Sequence, residues 1–370
     1  MKFFLPIMVF GLLYTNHNLA QAPSNYYNGT QGLTGYALKT KLSQIISNGY
    51  IVKSYGELYN GYKTTDRDYY YENDGTILDM YSEKPNGVDA YDYSATSTGD
   101  RCGNYSSEGD CFNREHIIPQ SLFNSASPMK SDINFVVPSD GYVNGKRSNY
   151  PFGKVNSPTW TSTNGSKLGS NASTGFSGTV FEPIDAFKGD IARMVFYFVT
   201  RYQSKIPGFG QGDILDGSIT RGLQQWEADL LLQWHNQDTV SQREKDRNDA
   251  IYNYQGNRNP FIDHPEWVNC IWGNQNCIGE DTSTSVSSVV LQYALQLYPN
   301  PANSNVYLEA PQSIQLLSYT IFNPQGSVLL HEKINNTNLV NLEVSNLSNG
   351  IYFIKIQTDK GFVMKKFLKQ

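Results

Sequence analysis

The chain has 370 residues, enough for more than one domain of the usual roughly 100–200 residues. Only 17% of them are charged and the formal net charge is -5, which excludes a protein that coats polyanions through uniform positive charge. A nucleic-acid partner has to be met by a local basic groove or across a bridging cation.

In chain order, Lys2 precedes an apolar run from Phe3 to Leu13, and Ala20-Gln21-Ala22 follows a polar stretch. Basic start, short apolar centre and small residues at the end predict a secretory signal peptide over 1–22. The run is too short to span a bilayer, and no other segment approaches one. The four cysteines fall in two close pairs, Cys102/Cys111 and Cys270/Cys277. In an exported chain two local disulfides are expected, although sequence permits three pairings; neither pair has the short spacing of a zinc site.

Residues 23–278 read as one helix-rich domain. Apolar residues at helical spacing predict a helix over Tyr36–Ile46, closed near Gly49. Around Glu115-His116-Ile117-Ile118 a short strand is expected, and a second over Asp132–Pro138. Ser139 then suits the N-cap of a short helix through Ser148. Phe187, Ile191, Met194, Val195, Phe198, Val199 and Tyr202 form one stripe, so a helix is predicted over Asp185–Tyr202. Leu223, Trp226, Leu230, Leu231 and Trp234 repeat the pattern. Ser241 and Glu244 make a capping box for a further helix that Gly256 closes. The polar stretch within 279–296 reads as a linker. In 297–370 short alternating or β-branched runs, Val306–Glu309, Ser318–Phe322, Ser327–Leu330, Asn341–Val344 and Ile351–Gln357, predict a small β-sandwich, with turns at Pro324-Gln325-Gly326 and Ser348-Asn349-Gly350. The fold class is α+β.

The chemistry concentrates in Phe112–Pro119 and Asp140–Ser148. Strand, loop, strand, helix is a ββα arrangement able to hold one divalent metal between an imidazole and a helix side chain. Phosphodiester hydrolysis needs a deprotonated water, charge relief at phosphorus and help for the departing oxygen. His116 can take the water's proton near neutral pH. Glu115 and the amide oxygen of Asn144 suit a hard cation, Mg²⁺ first, with Mn²⁺ or Ca²⁺ as alternatives. Arg114 and Arg147 can grip phosphate oxygens, Arg147 through its planar fork. His235 reads as a packed helix terminus and His264 as a hydrogen-bonded loop residue. Arg193 and Arg201 read equally well as a solvated face or part of a nucleic-acid groove.

Phe112-Asn113-Arg114-Glu115-His116, with Asp140–Tyr150 through the Val143-Asn144-Gly145 motif, resembles the bacterial secreted endonuclease I family of the His-Me finger class. Asp79-Met80-Tyr81-Ser82, Cys102-Gly103-Asn104-Tyr105 and Gly256–Pro265 look like the same family, in the same order. The resemblance implies His116 as general base and Glu115 and Asn144 as metal ligands. It also implies cutting of DNA, often RNA too, with little sequence preference and 5′-phosphate products. Arg147 is carried as the transition-state arginine, and Arg114 and Lys146 as substrate contacts. Similar members carry histidines after the aspartate of the second strand; here those positions are Asn134 and Phe135.

Leu297-Tyr298-Pro299-Asn300-Pro301-Ala302 and Asn349–Ile356, with Lys365, Lys366 and Lys369, resemble the C-terminal sorting domain of type IX secretion substrates. That resemblance implies passage across a Gram-negative outer membrane and handling by the type IX machinery; a carbohydrate-binding or adhesive β-module is the rival. Together these readings point to a secreted, monomeric, metal-dependent endonuclease acting on DNA or RNA. The competing reading is an inactive surface adhesin. No H-E-x-x-H or G-x-S-x-G motif supports a protease or esterase.

Overall fold

The computed structural model describes residues 22–273, 294–312, 314–334, 337–359 and 361–370. The expected signal peptide, most of the linker and Cys277 lie outside them. The chain divides into two compact units, Met1–Gly279 and Glu280–Gln370, each with its own apolar cluster.

In the first unit the predicted leading stripe is α1 (Gly35–Ser47), which buries Leu38, Leu42 and Ile46. A short α2 (Leu58–Thr65) follows. Two strands, β1 (Phe112–His116) and β2 (Val136–Asp140), pair antiparallel with Glu115 opposite Val137 and His116 opposite Val136. Helix α3 (Gly141–Arg147) leaves directly from β2 and packs on both strands.

Two boundaries differ from the sequence reading. Strand β1 runs up to His116 rather than on through Ile117 and Ile118, because the carbonyls of His116 and Ile117 are taken by the Arg147 guanidinium. The cap of α3 is Asp140, not Ser139: its Oδ1 accepts from the Val143 amide at 2.8 Å. Asp132 sits before β2 in a turn, fully buried, where it accepts from Tyr197, Tyr202 and Gln255.

A three-stranded sheet, β3 (Val155–Thr161), β4 (Lys167–Asn171) and β5 (Thr179–Glu182), was not legible in the sequence. The long stripe is a 3₁₀ turn (Asp185–Phe187) running into α4 (Lys188–Arg201). Residues Gly189 to Arg201 are all buried, so α4 is a central helix, with α1, α5 (Gln225–Gln237) and α7 (Pro260–Asp263) against it. Helix α6 (Gln242–Gln255) opens on the predicted capping box, both reciprocal bonds present, and ends on Gly256 at φ 81°. Helix α8 (Glu266–Trp272) completes the unit.

Central burial overturns both readings of Arg193 and Arg201. Arg193 is fully buried and pairs with Asp190 at 3.2 Å and Glu244 at 2.6 Å, while Arg201 pairs with Asp132 at 3.3 Å. Charges inside a helix core survive only when paired in this way.

The second unit is strand-rich. Strands β6 (Gln296–Tyr298), β7 (Asn305–Glu309) and β10 (Leu339–Glu343) form one sheet; β8 (Leu316–Phe322), β9 (Val328–Lys333), β11 (Gly350–Thr358) and β12 (Gly361–Lys369) form the other. Leu308 and Leu342 from the first and Ile321, Ile354 and Phe367 from the second share one apolar cluster. Two sheets joined by one core match the expected small sandwich.

Candidate active site

The end of β1, the start of the following loop and the exposed side of α3 enclose a cavity of about 360 Å³. Its lining includes Tyr55, Tyr59, Arg114, Glu115, His116, Asn144 and Arg147. Five of the six residues singled out by sequence therefore meet at one place. Lys146 is the exception: its ammonium lies over the rings of Tyr142 and Trp160, at 5.0 and 6.0 Å.

Strand alternation is kept at Glu115 and His116. The Glu115 side chain runs to Tyr81 and Arg147, whereas His116 runs to Tyr55, Phe123 and Lys130. Both still line one cavity because the strand stops at His116.

His116 is 4% exposed, and its ring stacks on Tyr55 with centroids 5.8 Å apart. Its Nε2 lies 3.0 Å from the Lys130 carbonyl oxygen. A carbonyl only accepts, so Nε2 carries the proton and Nδ1 is left with the lone pair. Burial, with the positive charges of Arg114, Arg147 and Lys130 nearby, pushes the imidazole down to about 4. The ring is therefore neutral at pH 7, with the Nδ1 lone pair free of a proton.

Glu115 is also buried, which pushes its carboxyl up against the opposing pull of Arg147 and Tyr81. The Tyr81 hydroxyl donates to Oε1 at 3.0 Å and Arg147 Nη1 lies 3.2 Å from the same oxygen. Neither bond uses Oε2. Asn144 donates from Nδ2 to Asn113 Oδ1 at 2.5 Å, which turns its amide oxygen away from that bond. Glu115, whose carboxylate also accepts from the His116 amide, and Asn144 both line the cavity, and a carboxylate with an amide oxygen is the ligand chemistry of Mg²⁺ or Ca²⁺.

Arg147 works inward. Nη1 donates to the His116 carbonyl at 2.8 Å and Nη2 to the Ile117 carbonyl at 2.6 Å, with the guanidinium over the Phe152 ring. Behind it Glu227 is completely buried, its carboxyl pushed up to about 8 by burial and drawn back by Arg147. Arg114 donates to the Tyr55 carbonyl at 3.0 Å and lies 3.6 Å over the Tyr55 ring and 4.6 Å over that of Tyr59. Arg101 covers Tyr59 from 4.5 Å. These alternating cations and rings give the acidic chain a local basic, aromatic wall.

The rim is fixed by the Cys102–Cys111 disulfide, one of the two expected pairs. Gly141 explains why the loop comes so close: a Cβ there would meet Cys102 Sγ at 2.5 Å and Tyr105 Cδ1 at 2.8 Å. Cys270 belongs to the second expected pair, and Cys277 is not among the described residues.

Residues 34–266 match the family model for endonuclease I, and 296–370 that for the secretion system C-terminal sorting domain. The chain belongs to the endonuclease I family. It is 35% identical over 253 residues to the extracellular ribonuclease of Bacillus subtilis (strain 168), a match covering 67% of this chain and 78% of that protein. The extracellular ribonuclease of Bacillus amyloliquefaciens is 36% identical over the same shares. Endonuclease-1 of Buchnera aphidicola subsp. Baizongia pistaciae (strain Bp) is 27% identical over 134 residues, 36% of this chain and 46% of that protein.

This endonuclease I family member is therefore a secreted nuclease carrying a type IX sorting tail. Among the described residues no helix is long and apolar enough to cross a membrane. Among the described residues, the other two histidines of this unit stand apart from the cavity. His235 is buried against the Pro265 carbonyl, and His264 bonds to Glu266 and stacks on Trp267. Tyr55, Tyr59, Tyr81 and Glu227 were not singled out as site residues by sequence reasoning. Only Tyr81 carried a signal, as part of the Asp79–Ser82 segment.

Proposed function

We propose that the endonuclease hydrolyses the phosphodiester bonds of DNA, and of RNA as well, with little sequence preference and 5′-phosphate products. The observation that carries this reading is the pairing of a neutral, Nδ1-available His116 with the oxygens of Glu115 and Asn144 around one cavity. The core is a ββα unit of the His-Me finger kind. Glu115 and Asn144 would hold one divalent cation, Mg²⁺ first, which when bound relieves charge on the phosphate and on the departing 3′ oxygen.

His116 takes the proton of the attacking water on Nδ1, a contribution of roughly 10²–10⁴-fold. The Lys130 carbonyl holds Nε2–H throughout, so the imidazolium formed is oriented and partly compensated. Arg147 is the positioning residue: it fixes the backbone at His116 and Ile117 and one oxygen of Glu115 in a single grip. Arg114, backed by Tyr55 and Tyr59, meets the substrate phosphates, and bases stack on the same wall. Lys146 extends the positive rim on the α3 side. We assign 1–22 to a removable signal peptide, 23–278 to the catalytic domain, 279–296 to a linker and 297–370 to a domain delivered to the type IX machinery.

Digestion of supercoiled plasmid and of single-stranded RNA, with Mg²⁺ or with EDTA, tests the cation requirement. Cutting of both polymers in Mg²⁺, lost in EDTA and in Asn144→Ala, is the expected result. Undiminished cutting in EDTA would remove the cation from the mechanism, and cutting of RNA alone would restrict the substrate.

A further inference from the structure

Carboxylates also collect away from the cavity, between α2 and β1. Asp68, Glu72 and Glu83 each offer one oxygen, and the three oxygens lie within 4.8 Å of one another. Glu83 is 1% exposed, and its Oε1 is buried with no hydrogen-bond partner. A buried carboxylate oxygen left in that state is costly unless something positive completes it. Asp68 is 2% exposed as well. Its Oδ1 accepts from the amides of Tyr70 and Tyr71 and its Oδ2 from that of Asn73, which orient the carboxylate without neutralising it.

Among the described residues no ion pair reaches Asp68, Glu72, Glu83 or the neighbouring Asp89. Arg243 is close enough to act on Glu83 but is bound to Asp190.

We propose that Asp68, Glu72 and Glu83 form a binding site for a structural calcium ion, separate from the catalytic cavity. Three oxygens no more than 4.8 Å apart have a common centre at most about 2.8 Å from each, so a small adjustment brings all three to the roughly 2.3–2.6 Å that calcium takes; magnesium needs about 2.0–2.1 Å and sheds its waters reluctantly. A secreted protein meets calcium at concentrations that weak extracellular sites can use. The ion has a structural consequence for catalysis. Glu83 ends the turn begun at Asp79, which carries Tyr81 to Glu115, and Asn164 clamps the carbonyls of Met80 and Glu83. Neutralising Glu83 steadies the turn that holds one of the catalytic cavity's own oxygens.

Calorimetric titration of the chelator-treated full chain with CaCl₂, with thermal melts in parallel, tests this. Wild type and Asn144→Ala are expected to share a calcium-binding event and a rise in Tm, because that substitution leaves the three carboxylates untouched. Glu83→Gln is expected to lose that event or weaken it at least about tenfold, with an unchanged far-UV spectrum without calcium. Should Glu83→Gln fail to fold, Glu72→Gln serves the same purpose on a less enclosed ligand. Calcium binding that survives intact in the carboxamide variant overturns the site. So does a wild type whose sole calcium event disappears in Asn144→Ala.

Discussion

Arg147 ties three things together: the carbonyls that end β1, one oxygen of Glu115, and α3 itself. Replacing it with Met leaves the two carbonyls without this donor and the buried Glu115 without its counter-charge, a loss of about 3–5 kcal/mol expected in urea unfolding. Lysine at this position brings charge without the fork and should restore only part of the stability. The same residue shows where sequence reading stops. A basic side chain three residues after Asn144 reads as a phosphate grip, and nothing local says that its partners are carbonyls some thirty positions earlier. That Glu115, His116 and Asn144 meet at one cavity was legible, because their residue types and order fit one chemistry. Tyr81 and Glu227 were not, because their roles come from contacts distant in sequence. At His235 burial pushes the imidazole down to about 4, against roughly 6.5 unfolded. The unfolded chain then binds the extra proton first, so this residue's contribution is present above pH 6.5 and lost as pH falls toward 4. Wild type should lose Tm relative to His235→Gln between pH 7.5 and pH 5; a constant difference would contradict the assignment.

At the scale of elements, the α3 region depends on close approach. Gly141→Ala places a Cβ against the Cys102 sulfur and the Tyr105 ring, so it should cost about 1–3 kcal/mol in thermal or urea unfolding and lower nuclease activity at the rim. A stability equal to wild type would mean that the loop yields. Helices α1, α4, α5 and α6 were legible because their stripes and caps are local signals, and both bonds of the Ser241–Glu244 box are present. The sheet β3–β5 was hidden because β3 is mostly exposed and register-shifted against β4, while β4 and β5 are only five and four residues long, and none carries alternating apolar residues. Arg193 and Arg201 misled for a related reason: charge on a striped helix reads as an outer face. Here Asp190, Glu244 and Asp132 come from elsewhere in the fold to neutralise it.

In the whole molecule two units carry separate apolar cores and match two different families. Chemistry and export are thus assigned to different parts of one chain. A protein ending at residue 278 should keep the specific nuclease activity of the full chain in vitro while failing to leave the cell surface route; loss of activity on truncation would show that the tail supports the fold of the first unit. The local wall of Arg114, Arg101, Tyr55 and Tyr59 sets positive charge and aromatic faces beside the cavity of a chain that is acidic overall, which is what the proposed polyanionic substrate needs. The proposed function places the chemistry on His116. The most direct measurement is kcat/KM on plasmid DNA in Mg²⁺ for wild type and His116→Ala, each checked by near-UV circular dichroism. A fall of roughly 10²–10⁴-fold with an unchanged spectrum is predicted. A folded His116→Ala that cuts at the wild-type rate would contradict the assignment of the base.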